Sequence, residues 1–405
     1  MIDGARKILG NRDFVRLSLG SGISYFGSNF SLVAVLALSY SFSGTNFSLG
    51  FTAFLFMAPY LFASPISGVL SDSVSKKKIM IAADLVRILL VTGYLAAYDL
   101  KSPALIYAIT FLVSFFSVIF NIARDSLAPT LVAREDISQF NSFWHLLKNI
   151  FFVSSMLLGG YFVSAYGYKA AFWFNAATYA LSVFLVWSIR HSETPYAGEK
   201  RNAWAVYAAG IRYVRSRGEL SGSVAHLSIK NFGYGFLNVI YPIFVFSVFS
   251  GTSKEMGVLY AVLGAAQIFS SFLCLRYLKA FIETRYVAVL SLALFLEVSG
   301  IAGIQYSTGT FAVFLLPLAW LSTGDGISIV AVSSKLMHAS DQEYLGRVNA
   351  FSALLSNTSY AAGMLACGLI SDAISVGLLL AVAAGFFLLS AAAFGTIKNE
   401  KALVA

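Results

Sequence analysis

Four ionisable residues stand inside long apolar runs: Lys148, Lys230, Glu297 and Asp325. A charge at such a depth in a bilayer is costly, so it faces protein or a water-filled cavity and marks a working position. Asp325 lies between Gly324 and Gly326 near the middle of the run 310–338, and Glu297 is comparably deep in 286–306. An acid in that setting can take up and release a proton, which makes Asp325 the first proton-coupling candidate and Glu297 the second. Lys148 sits about ten residues into the run 138–164, one helical turn from Trp144 and His145 and next to Asn149. Lys230, followed by Asn231, falls in the first third of 223–250. Lys148 can serve as counter-charge to a ligand, or snorkel or pair structurally; for Lys230 a gate or snorkel role stands beside ligand contact. His226 is nearer the interface and reads as structural.

Polar and aromatic side chains accompany these charges. Tyr25 and Asn29 share one helix face at the i, i+4 spacing, with Ser24 and Ser28 beside them. Tyr234, Asn238 and Tyr241 repeat the pattern in the second half of the chain. A cavity lined this way offers ring faces and hydrogen-bond groups, which suits an amphipathic organic molecule.

The elements that must hold these residues are membrane helices. Of the 405 residues, 58% are apolar and only 12% charged, too little polar surface for a soluble protein of this length. About twenty apolar residues cross a bilayer as a helix. Twelve such spans are predicted, at 14–42, 48–70, 79–98, 104–123, 138–164, 170–190, 223–250, 255–279, 286–306, 310–338, 343–370 and 376–397. The long runs with internal glycine predict an all-α integral membrane fold, since a membrane barrel alternates over short segments. The net charge of +9 is a topology signal and no pointer to nucleic acid: 23 of the 28 Lys and Arg fall on the side that holds the N-terminus. The excess of positive charge places both termini in the cytoplasm. Met1–Arg16 is basic and runs straight into a long span, so no cleavable signal peptide is read. Cys274 and Cys367 lie inside spans with no His or acid cluster, which argues against a disulfide, a metal site or a cofactor. There is no phosphate-binding Gly-Lys loop and no nucleophile–base arrangement, so neither an ATPase nor another enzyme is expected.

The chain repeats itself. Residues 141–149 match 349–357 at five of nine positions, and Met156-Leu157 and Gly160 fall on Met364-Leu365 and Gly368 in the same register. Phe42-Ser-Gly-Thr45 matches Phe249-Ser-Gly-Thr252, and Gly50 matches Gly257. Two matches at nearly one offset predict a duplicated six-helix unit, with residues 1–190 and 223–405 as halves. Lys148, Trp144 and His145 correspond to Ser356, Ser352 and Ala353, so the halves differ where a ligand site can break the symmetry. The polar linker 191–222 carries apolar and aromatic residues at helical spacing over Trp204–Arg215, consistent with a short surface helix or an ordinary tether.

Six plus six helices, a basic central loop and cytoplasmic termini resemble the major facilitator superfamily. The loop Gly68–Lys78 is similar to that family's signature between helices two and three: Gly68, Leu70, Asp72 and Lys76-Lys77-Lys78 match, while Ser73 and Ser75 replace an Arg and a Gly. Asn11-Arg-Asp-Phe14, Pro59, Asp84-Leu-Val-Arg87, Ala123-Arg-Asp-Ser-Leu-Ala-Pro129 and Gly346-Arg347-Val348 resemble the drug- and macrolide-efflux branch. Two departures stand out: Gly27 is followed by Ser28-Asn29 where that branch carries an acid, and span five reads Ser155-Met-Leu-Leu-Gly-Gly160 without the antiporter proline.

The resemblance implies a conformational latch. Asp72 would meet the start of span eleven near Gly346 and Arg347, favoured by the helix dipole, or pair with Arg124, with Asp84 and Arg87 extending the network across the seam between halves. Lys76, Lys77 and Lys78 serve either that latch or a simple headgroup anchor. It further implies a secondary transporter in the inner or plasma membrane, exporting amphipathic small molecules by alternating access as a monomer, with H+ as candidate coupling ion. The rival readings are a carrier of an anionic solute that uses Lys148 and Lys230, and a non-transporting receptor or scaffold on the same fold.

Overall fold

The structure, a computed structural model, describes residues 10–60, 75–131, 137–191, 210–307, 309–341 and 344–394, with only the backbone given for 137–143 and 145. Gly68, Asp72 and the side chain of His145 therefore lie outside the described residues, as does the first part of the linker helix.

All twelve predicted spans correspond to helices. They are α1 (Arg12–Ser43), α2 (Asn46–Met57, the part of the second predicted span over 61–70 lying outside the described residues), α3 (Lys76–Asp99), α4 (Pro103–Leu127), α5 (137–166) and α6 (168–187). The second half follows with α7 (Gly218–Ile243), α8 (Ser253–Leu273), α9 (Tyr286–Tyr306), α10 (Phe311–Ala339), α11 (Leu345–Ile370) and α12 (Val376–Ser390). Among the described residues, ten helices are long and apolar enough to cross a membrane. The α5–α6 pair counts there as one, because a single non-helical residue divides it: Gly167 at φ 79°, ψ 173°. A side chain is strained in that region, so glycine makes the turn possible without a loop.

Local chemistry sets the helix ends. The Asn11 side chain accepts from the backbone N–H groups of Asp13 and Phe14 at 3.1 Å and donates to the Leu131 carbonyl at 2.6 Å. Ser75, Ser102 and Ser375 cap α3, α4 and α12, and Pro103 opens α4 where its missing N–H costs nothing. Lys77 Nζ donates to the Ile189 carbonyl at 2.6 Å, so one lysine of the basic run caps the end of α6.

The chain divides into two compact units: residues 1–44, 55–198 and 251–261 form unit 1, and 45–54, 199–250 and 262–405 form unit 2. Each unit thus takes the start of one helix, α8 or α2, that the sequence assigns to the other half. Pairing inside the units follows one scheme. In unit 1, α1 packs along α5–α6 and α3 against α4; in unit 2, α7 packs on α11 and α9 against α10. The glycines matched across the repeat form close backbone approaches. In unit 2 a Cβ on Gly50 would collide with the backbone of Gly368, and in unit 1 one on Gly257 would meet Gly160 Cα at 3.0 Å. The start of α2 is further held in unit 2 by Asp372, whose carboxylate accepts from the N–H groups of Asn46 (2.7 Å) and Phe47 (3.1 Å).

Apolar surface is abundant on the outside: Leu89, Leu275, Leu316 and Trp187 are all more than half exposed, as side chains facing hydrocarbon must be. Cys274 and Cys367 are free and buried.

Candidate functional site

Among the described residues, the charged residues within the spans collect into one cluster in unit 2 and two groups in unit 1. In unit 2 the cluster begins at Lys230, whose side chain is wholly buried on α7. Its Nζ lies 3.1 Å from Glu297 Oε1 on α9 and 2.9 Å from Asp325 Oδ1 on α10. Gln267 on α8 donates through Nε2 to Asp325 Oδ2 at 3.2 Å. The Tyr234 ring lies 5.6 Å from the Lys230 ammonium, and the Tyr234 side chain borders Asp325. Four helices therefore converge on one ion cluster. Glu297 is fully buried and its Oε2 has no hydrogen-bond partner among the described residues.

The glycines flanking Asp325 explain this convergence. A Cβ on Gly324 would stand 2.7 Å from the Ala293 carbonyl and 3.0 Å from Glu297 Cγ. One on Gly326 would run into Ser270. With hydrogen in both places, α10 closes on α9 on one side and α8 on the other, which brings Glu297 and Gln267 within reach. Lys230 does not snorkel: it is enclosed and paired with two acids. Nearby, His226 is buried, with Nδ1 3.3 Å from the Ser390 carbonyl and Nε2 3.3 Å from Ser328 Oγ. The carbonyl requires Nδ1 to donate, which leaves Nε2 to accept from the serine. Two carboxylates and one ammonium leave the cluster one negative charge in excess when both acids are ionised. A buried excess charge is expensive.

In unit 1, Asp84 and Arg87 on α3 pair with each other, both buried. Arg87 also donates to Ser24 on α1 (3.1 Å) and Ser117 on α4 (3.2 Å), and its guanidinium covers the rings of Phe120 and Tyr179 at 4.6 and 4.5 Å. This neutral pair ties four helices together inside unit 1.

A second group in unit 1 is basic and aromatic. Arg124, on α4, pairs with the neighbouring Asp125 at 2.6 Å and lies over the Trp144 ring at 4.3 Å. The Lys148 ammonium lies 5.3 Å from the centre of the Tyr25 ring. Tyr60, which hydrogen-bonds Asn121, and Tyr25 both lie within electrostatic range of Arg124. Asn29 Nδ2 donates to the Tyr25 carbonyl at 2.8 Å, so that amide serves its own helix.

The remaining candidates are dispersed. Asn149 is exposed, Asn231 and Asn238 are half-buried, and Tyr241 is buried. Gly346 has open space around its Cα, and Arg347 lies over the Tyr344 ring at 5.0 Å. Lys76 and Lys77 are half-buried and Lys78 is exposed. Sequence reading passed over Gln267, Asn121 and Tyr60. A glutamine in the middle of an apolar span is the signal that points to the first.

Comparison with known proteins follows this geometry. A family model described as Major Facilitator Superfamily matches residues 17–364. The chain is 27% identical over 201 residues to a putative bacilysin exporter of Bacillus subtilis, an alignment covering 49% of this chain and 50% of that protein. It thus spans about half the length of the first relatives it matches. An uncharacterised MFS-type transporter of Bacillus subtilis (strain 168) is 25% identical over 88% of this chain and 86% of its own. Macrolide efflux protein A of Streptococcus pyogenes is 20% identical over 90% of each. Among solved structures, the nucleoside transporter NupG superposes with a TM-score of 0.75 at 11% identity, covering 96% of this chain and 99% of that one. An auto-inhibited POT family peptide transporter gives 0.74 at 12% identity, covering 95% and 96%. These two likenesses establish the fold.

Proposed function

The chain belongs to the Major Facilitator Superfamily, and on that premise we propose that it is a secondary transporter that exports amphipathic small molecules, with protons as the coupling ion. Relatives named as a putative bacilysin exporter and a macrolide efflux protein support the direction and the substrate class. Transport would proceed by alternating access of the two six-helix halves in the plasma membrane, with both termini in the cytoplasm as the charge distribution implies.

One observation carries the proton coupling: the buried cluster of Lys230, Glu297 and Asp325, with its uncompensated carboxylate and the unpartnered Glu297 Oε2. A single lysine can neutralise one acid, so the second is poised to exchange a proton whenever the cluster gains access to water. Protonation removes the excess charge and weakens the hold on Lys230, which biases the conformational equilibrium by the usual coupling of about 1–3 kcal/mol.

The test is efflux of a panel of amphipathic dyes from proteoliposomes under an imposed pH gradient. Glu297→Gln and Asp325→Asn should each lose gradient-driven transport while retaining exchange of dye across the membrane at equal pH. Unchanged rate and pH dependence in both variants would sink the proton coupling.

A further inference from the structure

We propose that unit 1 carries a recognition site for an anionic group on an amphipathic aromatic ligand, centred on Lys148 and walled by Tyr25, Trp144 and Arg124. This deepens the transporter reading above and rests on it for the ligand's being cargo.

The argument starts from what Lys148 lacks. An ammonium has three donors, yet among the described residues Lys148 makes no hydrogen bond and no ion pair, only the approach to the Tyr25 ring at 5.3 Å. The charges near enough to act on it are Arg124 and Asp125. Asp125 is taken up by Arg124, which reaches it through both Nε (3.0 Å) and a terminal nitrogen (2.6 Å). Its side chain is 63% exposed, so water screens it. The group Arg124, Asp125 and Lys148 therefore holds one positive charge in excess, and Lys148 is the residue that carries it unpaired.

Depth decides what can answer that charge. Lys148 lies eleven residues beyond Ile137, the first residue of the α5 helix, or about 16 Å at the usual rise. That separation along the helix favours a solute inside the protein over a lipid headgroup, and the phosphatidylglycerol comparison below tells the two apart. The rings define the rest of the ligand. Tyr25 and Trp144 already engage cations through their faces, and an aromatic body stacked there would exchange one such contact for another while its anionic group reaches the ammonium. The corresponding positions on α11, Ser352 and Ser356, are small and buried, so unit 2 has no copy of this site. Lys230, the other intramembrane lysine, is consumed by Glu297 and Asp325, which leaves the anion to Lys148 alone.

The experiment compares N-dansylglycine with N-dansylglycinamide, which share the aromatic body and differ in the carboxylate. Each is titrated by dansyl fluorescence against the full-length protein in phosphatidylcholine nanodiscs. The wild type should bind the acid about tenfold more tightly than the amide, the scale of a charge-assisted hydrogen bond. Lys148→Met should bring the two within about twofold by weakening the acid alone, and Lys148→Arg should retain most of the preference. Adding phosphatidylglycerol to the discs should leave the preference in place; its disappearance would assign the site to lipid and overturn the proposal. Equal binding of acid and amide by the wild type, no binding of either, or an undiminished preference in Lys148→Met would each overturn it as well. If Lys148→Met fails to fold, loss of the preference in Lys148→Gln decides in its place, a retained preference counting against the site. Glu297→Gln should keep the preference, because this is an equilibrium without a pH gradient, so failure of the proton coupling and failure of the anion site are read separately.

Discussion

At the residue scale, Lys230 is the most constrained charge in the chain. Two acids hold it and no water-facing surface remains to it. Removing one member of a buried ionic cluster leaves the others uncompensated, which costs about 3–5 kcal/mol. Lys230→Met should therefore lower the unfolding midpoint of the purified protein sharply. A triple variant that also carries Asp325→Asn and Glu297→Gln should recover much of the loss, because no net charge then stays buried. Additive losses on thermal unfolding would show that Lys230 matters through packing alone. Lys148 contrasts with this. Among the described residues it pairs with no acid, so Lys148→Met should leave the midpoint nearly unchanged while altering ligand preference.

At the element scale, small residues decide which helices touch. Gly50 and Gly368 meet in unit 2, and Gly257 and Gly160 meet in unit 1, so the positions that repeat in sequence are those where backbones approach. A side chain inserted at such a crossing must push the helices apart, at about 1–3 kcal/mol for an overpacked contact. Gly50→Val and Gly257→Val should both reduce transport in the dye assay and lower the unfolding midpoint to a similar degree. A normal rate in either would mean that the helix starts can separate without consequence. Gly324 and Gly326 play the same part around Asp325, where the approach of α9 and α8 assembles the ion cluster.

At the scale of the whole molecule, the asymmetry of Lys and Arg along the chain predicts that the C-terminus lies in the cytoplasm. A green fluorescent protein fused to the C-terminus should fluoresce, and an alkaline phosphatase fused at the same place should be inactive. Active phosphatase would place that terminus outside and reverse the direction assigned to every helix. The two units also carry different electrostatic equipment. Unit 1 holds the basic aromatic group around Lys148, and unit 2 the acid-rich cluster around Lys230, each on its own copy of the same six-helix plan. A duplicated scaffold with unlike charges suits a carrier that handles cargo and coupling ion by separate means.

The spans, the duplication and the list of buried charges were legible in the sequence, because a bilayer demands long apolar runs and penalises every charge that interrupts them. What those charges do was not legible. Lys230 read as a gate or a snorkelling residue until α9 and α10 brought Glu297 and Asp325 to it across 67 and 95 residues of chain. Asp84 and Arg87 read as part of a seam, and the structure pairs them within unit 1 against Ser24, Ser117 and Tyr179. Helical spacing relates residues three or four apart on one face. Partners on different helices are set by which helices pack, and here by glycines whose significance shows only when two of them meet. The sequence alone determined that this is a twelve-span, two-fold repeated membrane protein with charges at depth. The tertiary structure decided which charges neutralise each other, because partners on different helices meet only where those helices pack, and among the described residues it pairs Lys148 with no acid.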